Sequence, residues 1–402
     1  MGSNPTLSAR SEPPSPVTEI LYRSQRLEVR RVAAGDGRYQ IVTFDSYHEP
    51  PGMDRPGFGE AFFQAEGITA IHVMSHGNDW FQYSEIDKVL SVIREACAGA
   101  ERRLAYGSSM GGYAALRFAG SVGADAALAL SPQFSPDPRK VPFETRWASD
   151  RRRIRAIKSI DGAGIKPGPR LIIAFDSALE ADRRHAQLLM ADTPMTEISL
   201  PHAGHPVGGF LNDIKLLRPL VLTALEGSFD ADRFRHAAHA RRTRSAHWLA
   251  HLADRQPPWR NACGIALARR AVELAPDHPA LHDMHARRLA AAGLYAEAIA
   301  AHQRAVAIEP IVDYLWGLSK TLFAAGDAGG ALDVAQRIQA LAPRAAGYHA
   351  WAARLREAQG DLAGQLADLR RAVRHDRRNH GYRWQLLKLR WKSGLALLRP
   401  RL

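Results

Sequence analysis

The chain has 402 residues, more than one ordinary hydrophobic core accommodates, and a prior of about 150 residues per domain divides it into two or three units. Its net charge of +13 is unevenly placed: Lys+Arg and Asp+Glu balance at 26 and 26 over residues 1–228 but stand at 28 and 15 over 229–402, so the C-terminal part carries the whole excess. Two cysteines, Cys97 and Cys263, are too few and too far apart for a disulfide scaffold, and read as small core residues of a reducing compartment. No run approaches 18 apolar residues and the N-terminus lacks a signal-peptide core, so a soluble, cytoplasmic protein without a membrane span is expected.

The opening stretch MGSNPTLSARSEPPSPVTE is rich in Pro and Ser, and residues 1–25 are expected to form a disordered arm. From 26 to 228 short apolar runs alternate with helical stretches. Strands are predicted at 27–32, 39–46, 70–75, 102–108, 125–132, 170–177 and 196–201. Most are separated by enough chain for a crossover helix, which predicts an α/β sandwich with a mostly parallel sheet covered on both faces. The first two are close enough together to pair as a hairpin.

Chemistry-bearing residues cluster where these strands end. After 70–75 comes SHGNDWFQYSE, which puts Asn78, Asp79 and Trp80 at the edge where open α/β sheets bind ligands. The three either line a substrate pocket, or Asn78 and Asp79 cap the next helix while Trp80 packs on the sheet. After 102–108 comes Gly107-Ser108-Ser109-Met110-Gly111, a G-x-S-x-G turn between a strand and the helix GGYAALRFAG, with Ser109 at the nucleophile position. Arg151, Arg152, Arg153 and Arg155 form either an anion clamp or a solvated helix face. The strand at 170–177 ends at Asp176, with Glu180 and Asp182 beyond it. Asp182 also has the look of a helix N-cap, so Asp176 ranks first as a site acid and Asp182 second. The last strand runs into HAGHPVGG, where His205, preceded by Gly204, is favoured over His202.

In this order of residues the segment 26–228 resembles the α/β-hydrolase superfamily. The resemblance implies a nucleophile, Ser109, a base, His205, and an acid that fixes the base's tautomer, Asp176 or alternatively Asp182. It also implies an oxyanion hole from the Met110 amide and a second amide near Ser46, in the loop after the strand at 39–46. His76-Gly77 looks like the His-Gly motif of lipases but by strand count follows the wrong strand.

Beyond 240 the chain turns to long Ala/Leu/Arg helices. Pro276, Pro310 and Pro343 recur at 34 and 33 residues, and Gly293, Gly326 and Gly360 at 33 and 34. Ala298, Ala331 and then Gln365 follow each glycine by five positions. This stretch, roughly 277–379 with a divergent unit over 240–276, resembles the tetratricopeptide repeat family. Arg377 stands where the other units have proline, as in a capping repeat, and the helix after 380 is expected to turn Trp384 and Trp391 into the last groove.

The two resemblances define a domain over 26–228 and an all-α repeat domain over 229–402. Together they imply an esterase-like serine hydrolase or an acyltransferase, its substrate an acyl-bearing small molecule or glycan, with repeats for protein contacts. The alternative is an adaptor whose basic repeats bind an acidic partner while the hydrolase-like domain is inactive. No metal or cofactor is implied, since zinc-ligand spacings are missing. Nucleic acid is not expected as a partner, because no base-reading module accompanies the positive charge.

Overall fold

The computed structural model describes residues 17–154 and 164–392. The chain divides between Arg242 and Thr243 into two compact units. The division falls 14 residues beyond the boundary expected at 229, because the helix at Ala231–Arg241 packs on the last strand of the sheet.

The first unit is built on one eight-stranded sheet: β1 (Val17–Arg23), β2 (Leu27–Ala33), β3 (Tyr39–Phe44), β4 (Thr69–Ser75), β5 (Arg102–Ser108), β6 (Ala126–Leu130), β7 (Arg170–Phe175) and β8 (Thr196–Ser199). Their spatial order is β1-β2-β4-β3-β5-β6-β7-β8. β1 and β2 run antiparallel to their neighbours, and every pairing from β4 to β8 is parallel. β4 and β6 are buried at every residue, as a strand covered on both faces must be.

Two expectations fail at the N-terminal edge. Residues 17–23 are strand rather than part of an arm, while 1–16 lie outside the described residues. The hairpin is β1–β2, not β2–β3, since β3 is inserted between β4 and β5. β2 can pair antiparallel with β4 because the long segment 45–68 lets the chain return past β3.

The helices of this unit are α1 (Glu60–Ala65), α2 (Ile86–Ala96), α3 (Met110–Phe118), α4 (Ala148–Arg153), α5 (Glu180–Asp192), α6 (Gly208–Asp213), α7 (Leu217–Glu226) and α8 (Ala231–Arg241). One core joins Val42, Phe44, Ile71, Ala105 and Ile173 of the sheet to apolar faces of α2, α3 and α5. Helices α1 and α7 also pack on the sheet. The central position of β5, between β3 and β6, places the loops after those two strands on either side of whatever follows Ser108.

The second unit is a stack of antiparallel helix pairs: α9 (Ala246–Asp254) with α10 (Asn261–Leu274), α11 (Pro279–Ala291) with α12 (Tyr295–Ile308), α13 (Val312–Ala324) with α14 (Ala328–Leu341), and α15 (Ala346–Ala358) with α16 (Leu362–His375). A final helix, α17 (His380–Lys392), packs on α16. The last three pairs turn at Gly293, Gly326 and Gly360, with φ of 76°, 89° and 74°. These left-handed residues end the first helix of a pair, where glycine adopts the conformation without Cβ strain. Ala298 and Ala331 are fully buried, and Gln365 takes the equivalent place.

The expectation for α17 is corrected. Leu386 and Leu389 face the array, packed with Ala353 and Leu369, whereas Trp384 and Trp391 are 65% and 78% exposed. Cys97 is a core residue, but Cys263 is exposed.

Candidate active site

The turn after β5 bends sharply. Ser109 has φ 54° and ψ −116°, a conformation that side-chain-bearing residues rarely adopt. The turn is held by its own backbone: the Ser109 N–H donates to the Leu130 carbonyl of β6 at 2.8 Å. The flanking glycines are required by space. A Cβ on Gly107 would lie 2.2 Å from the Gly111 carbonyl oxygen, and one on Gly111 would lie 2.2 Å from that of Phe44. The pattern G-x-S-x-G therefore records a helix start pressed against the ends of β3 and β5.

Ser109 Oγ lies 3.0 Å from His205 Nε2, and His205 Nδ1 lies 2.7 Å from Asp182 Oδ2. The carboxylate accepts the Nδ1 proton, which leaves Nε2 as an acceptor for the serine hydroxyl. The acid facing His205 is thus Asp182 and not Asp176. The expected N-cap role of Asp182 does not occur either: it sits in the first turn of α5, is 2% exposed, and the N-cap position is Leu179.

Asp176 has a different task. Its fully buried carboxylate accepts backbone N–H groups from Ala178 at 2.8 Å, His202 at 2.8 Å and Gly204 at 2.9 Å. It thereby pins the β8 loop that carries His205. His202, at φ 66°, shapes that loop through its backbone. Ser131, after β6, accepts the Val207 N–H at 3.2 Å and ties the far end of the same loop to the sheet.

Behind the acid runs a polar chain that sequence reasoning did not anticipate, in which Glu144 and His185 are buried and Arg146 reaches solvent. Arg146 pairs with Asp182 at 2.8 Å and with Glu144 at 2.7 Å, and its guanidinium lies 4.5 Å over the Trp147 ring. Burial alone would raise the Glu144 carboxyl, but hydrogen bonds from His185 and Arg146 outweigh it and hold the group well below the usual carboxylate range. Burial lowers His185 despite its Glu144 partner at 3.1 Å, and its Nδ1 accepts the Phe134 N–H at 3.0 Å. Trp147 in turn lies 5.5 Å from the His205 ring and 5.9 Å from that of Trp80. Arg151 is buried and donates to the carbonyls of Pro136, Glu144 and Val141, so it braces the 134–147 segment instead of clamping an anion or facing solvent. Arg155 lies outside the described residues.

Of the three substrate-binding candidates, Trp80 alone is linked to the serine. Its Nε1–H donates to Gln133 Oε1 at 3.1 Å, and Gln133 Nε2 donates to Ser109 Oγ at 2.9 Å. Asn78 instead clamps the backbone of His48 at both ends, accepting its N–H at 3.1 Å and donating to its carbonyl at 2.9 Å. Asp79 accepts the Tyr83 hydroxyl at 3.3 Å, and burial together with this carboxylate pushes that phenol up.

Met110 is the first residue of α3, and Ser46 lies in the loop after β3. Asp45 fixes this loop, meeting Arg55 at 3.0 and 2.7 Å and accepting the Ser75 N–H at 2.7 Å. His76-Gly77 faces elsewhere: the His76 N–H donates to the Arg26 carbonyl at 2.9 Å, and its carbonyl accepts from Gly52.

Among the described residues, non-glycine positive φ occurs at Trp80, Phe81, Ser109, Ser131, His202 and Lys215. All but Lys215 lie just beyond the carboxyl ends of β4, β5, β6 and β8. Strain of this kind persists only where surrounding structure enforces it, and it collects at functional sites.

No helix among the described residues is long and apolar enough to cross a membrane. No family model and no curated protein matches the chain. Among solved structures it is similar to MamA 41-end from Desulfovibrio magneticus RS-1, with 16% identity and TM-score 0.33, over 37% of this chain and 85% of that one. It is also similar to TTC0263, a thermophilic TPR protein in Thermus thermophilus, with 16% identity and TM-score 0.32, over 43% and 96% of the two chains. A third likeness is to YrrB, a TPR protein with an unusual peptide-binding site, with 14% identity and TM-score 0.34, over 40% and 84%.

Proposed function

We propose that the first unit is a serine hydrolase or acyltransferase of the α/β-hydrolase type, acting on an acyl-bearing small molecule or glycan. One observation carries the reading: the continuous Ser109–His205–Asp182 relay at 3.0 and 2.7 Å, anchored on a serine with φ 54°. Its members follow β5, β7 and β8, giving the chain order Ser, Asp, His.

In this reading His205 Nε2 takes the Ser109 proton as Oγ forms a bond to the acyl carbon. Asp182 stabilises the resulting imidazolium without itself taking the proton. The amides of Met110 and of the Ser46 loop hold the oxyanion, and water or an alcohol resolves the acyl-enzyme. A fluorophosphonate probe should label the intact protein and spare Ser109→Ala; equal labelling of the two removes the reading.

A second reading, of the repeat unit as a binder of an acidic protein segment, is favoured by a groove of about 540 Å³ whose lining includes Trp316, Trp351, Arg354 and Lys388. Arg354 lies 5.7 Å over Trp351, and Lys320 5.4 Å over Trp316, so aromatic surface and positive charge coincide. An acidic, aromatic-containing peptide should bind the full chain, more weakly as salt rises, and Lys388→Glu should weaken it further. Salt-independent binding unaffected by Lys388→Glu counts against an acidic partner.

A further inference from the structure

The proposed triad accounts for one partner of Ser109 Oγ, yet the oxygen has two. Gln133 Nε2 donates to it at 2.9 Å from the loop after β6. Which end of a carboxamide faces a partner is normally ambiguous, but here chemistry decides it. The other end meets Trp80 Nε1, which can only donate, so that end must be the oxygen and the NH₂ must face the serine. Gln133 is 1% exposed and Trp80 is 1% exposed, so the amide is held at both ends in a dry site. Trp80 itself sits at φ 47°, with its carbonyl accepting the Gln82 Nε2–H at 3.1 Å. A strained, buried turn thus serves to aim one N–H at one oxygen.

We propose that Gln133 is a catalytic residue whose carboxamide N–H stabilises the negative charge that builds on Ser109 Oγ as its proton departs. The inference rests on the triad reading and adds a donor to it. As the Oγ–H bond breaks, the proton passes to His205 Nε2. One Oγ lone pair forms the bond to the acyl carbon, and the carbonyl π pair moves onto the carbonyl oxygen. A second Oγ lone pair keeps the Gln133 N–H throughout. The β6 loop lies across β5 from the β3 loop, and the atom this donor meets is Oγ itself, so it serves the nucleophile and not the oxyanion. Charge-assisted donors in a water-excluded site are the strong ones, which sets the expected effect.

The test is the second-order rate of fluorophosphonate labelling across a pH series. Gln133→Leu should slow it by about 10- to 100-fold at neutral pH. Trp80→Phe, which frees the amide to flip, should slow it by a smaller factor. Gln133→Glu separates chemistry from packing: its carboxylate cannot donate at neutral pH but can once protonated. Its rate relative to the intact protein at the same pH should therefore rise as pH falls from 7 to 5. Labelling of folded Gln133→Leu within twofold of the intact protein, or a pH-independent ratio for Gln133→Glu, overturns the proposal. Should Gln133→Leu fail to fold, the Gln133→Glu ratio decides alone. An intact protein that never labels overturns the triad reading and this one with it; a labelled protein indifferent to Gln133 overturns only this one.

Discussion

The two units place glycines at their tightest turns for different physical reasons. A Cβ at Gly107 or Gly111 would strike backbone 2.2 Å away, at Gly107 the far side of the same turn and at Gly111 the Phe44 carbonyl at the end of β3. At Gly293, Gly326 and Gly360 there is open space, and the residue is needed only for its left-handed φ. The first kind of turn is imposed by distant chain; the second satisfies a local rule repeated every 33 or 34 residues. At these turns the sheet unit therefore depends on a long-range contact, and the repeat unit spreads stability over many short-range ones.

Substitutions should separate the two more sharply. The largest effect is expected at Asp182→Asn, which leaves His205 in the wrong tautomer and should slow probe labelling by about 10⁴-fold with little change in folding. Asp176→Asn should do the reverse. It sets an amide against three backbone N–H groups, costing about 1–3 kcal/mol in denaturant unfolding while the Asp182–His205 bond survives. If Asp176→Asn abolishes labelling without destabilising the unit, the division of labour between the two carboxylates is wrong.

Gly111→Ala should cost about 3 kcal/mol and most of the labelling, because neither the Phe44 carbonyl nor the helix start can retreat. A comparable effect should appear with pH at His72, which lies against Thr43 Oγ1 at 2.7 Å and is pushed down to about 4 by burial and by Arg30. The unfolded imidazole binds its proton near pH 6.5, so stability is intact above that value and falls as pH drops from 6.5 towards 4. The loss should reach about 3 kcal/mol, read as the urea midpoint of the sheet unit, and His72→Gln should flatten it. Smallest is Gly326→Ala, expected to cost about 1–2 kcal/mol by local strain in the repeat transition alone and to leave labelling unchanged. A larger cost would mean that the repeat turns depend on distant contacts after all.

Much of the architecture was legible in the sequence. Buried parallel strands announce themselves as short apolar runs, and the helix pairs by their period. The edge was not: β1 is mostly exposed, with Ile20 49% open, so no apolar alternation marks it. Nor could adjacency alone reveal that β2 pairs across the sheet with β4.

At the site, Ser109 and His205 were readable because the elbow and the Gly-His pair have local signatures. Asp176 and Asp182 differ only in which way each carboxylate faces, and their spacing along the chain carries no such information. Gln133 and Arg146 are ordinary polar loop residues until the fold closes. The one usable signal for Gln133 was its place just past β6, the strand beside β5.

His205 hangs from β8, a strand of four residues that pairs only with β7 at the margin of the sheet. Margins open before centres do, so brief excursions of this strand would carry the base away while the serine, on β5, stays in place. A molecule in that condition would keep nearly all of its native structure and none of the relay. For the proposed activity, the working lifetime would then be set by the breathing of one short strand and not by the melting of the domain.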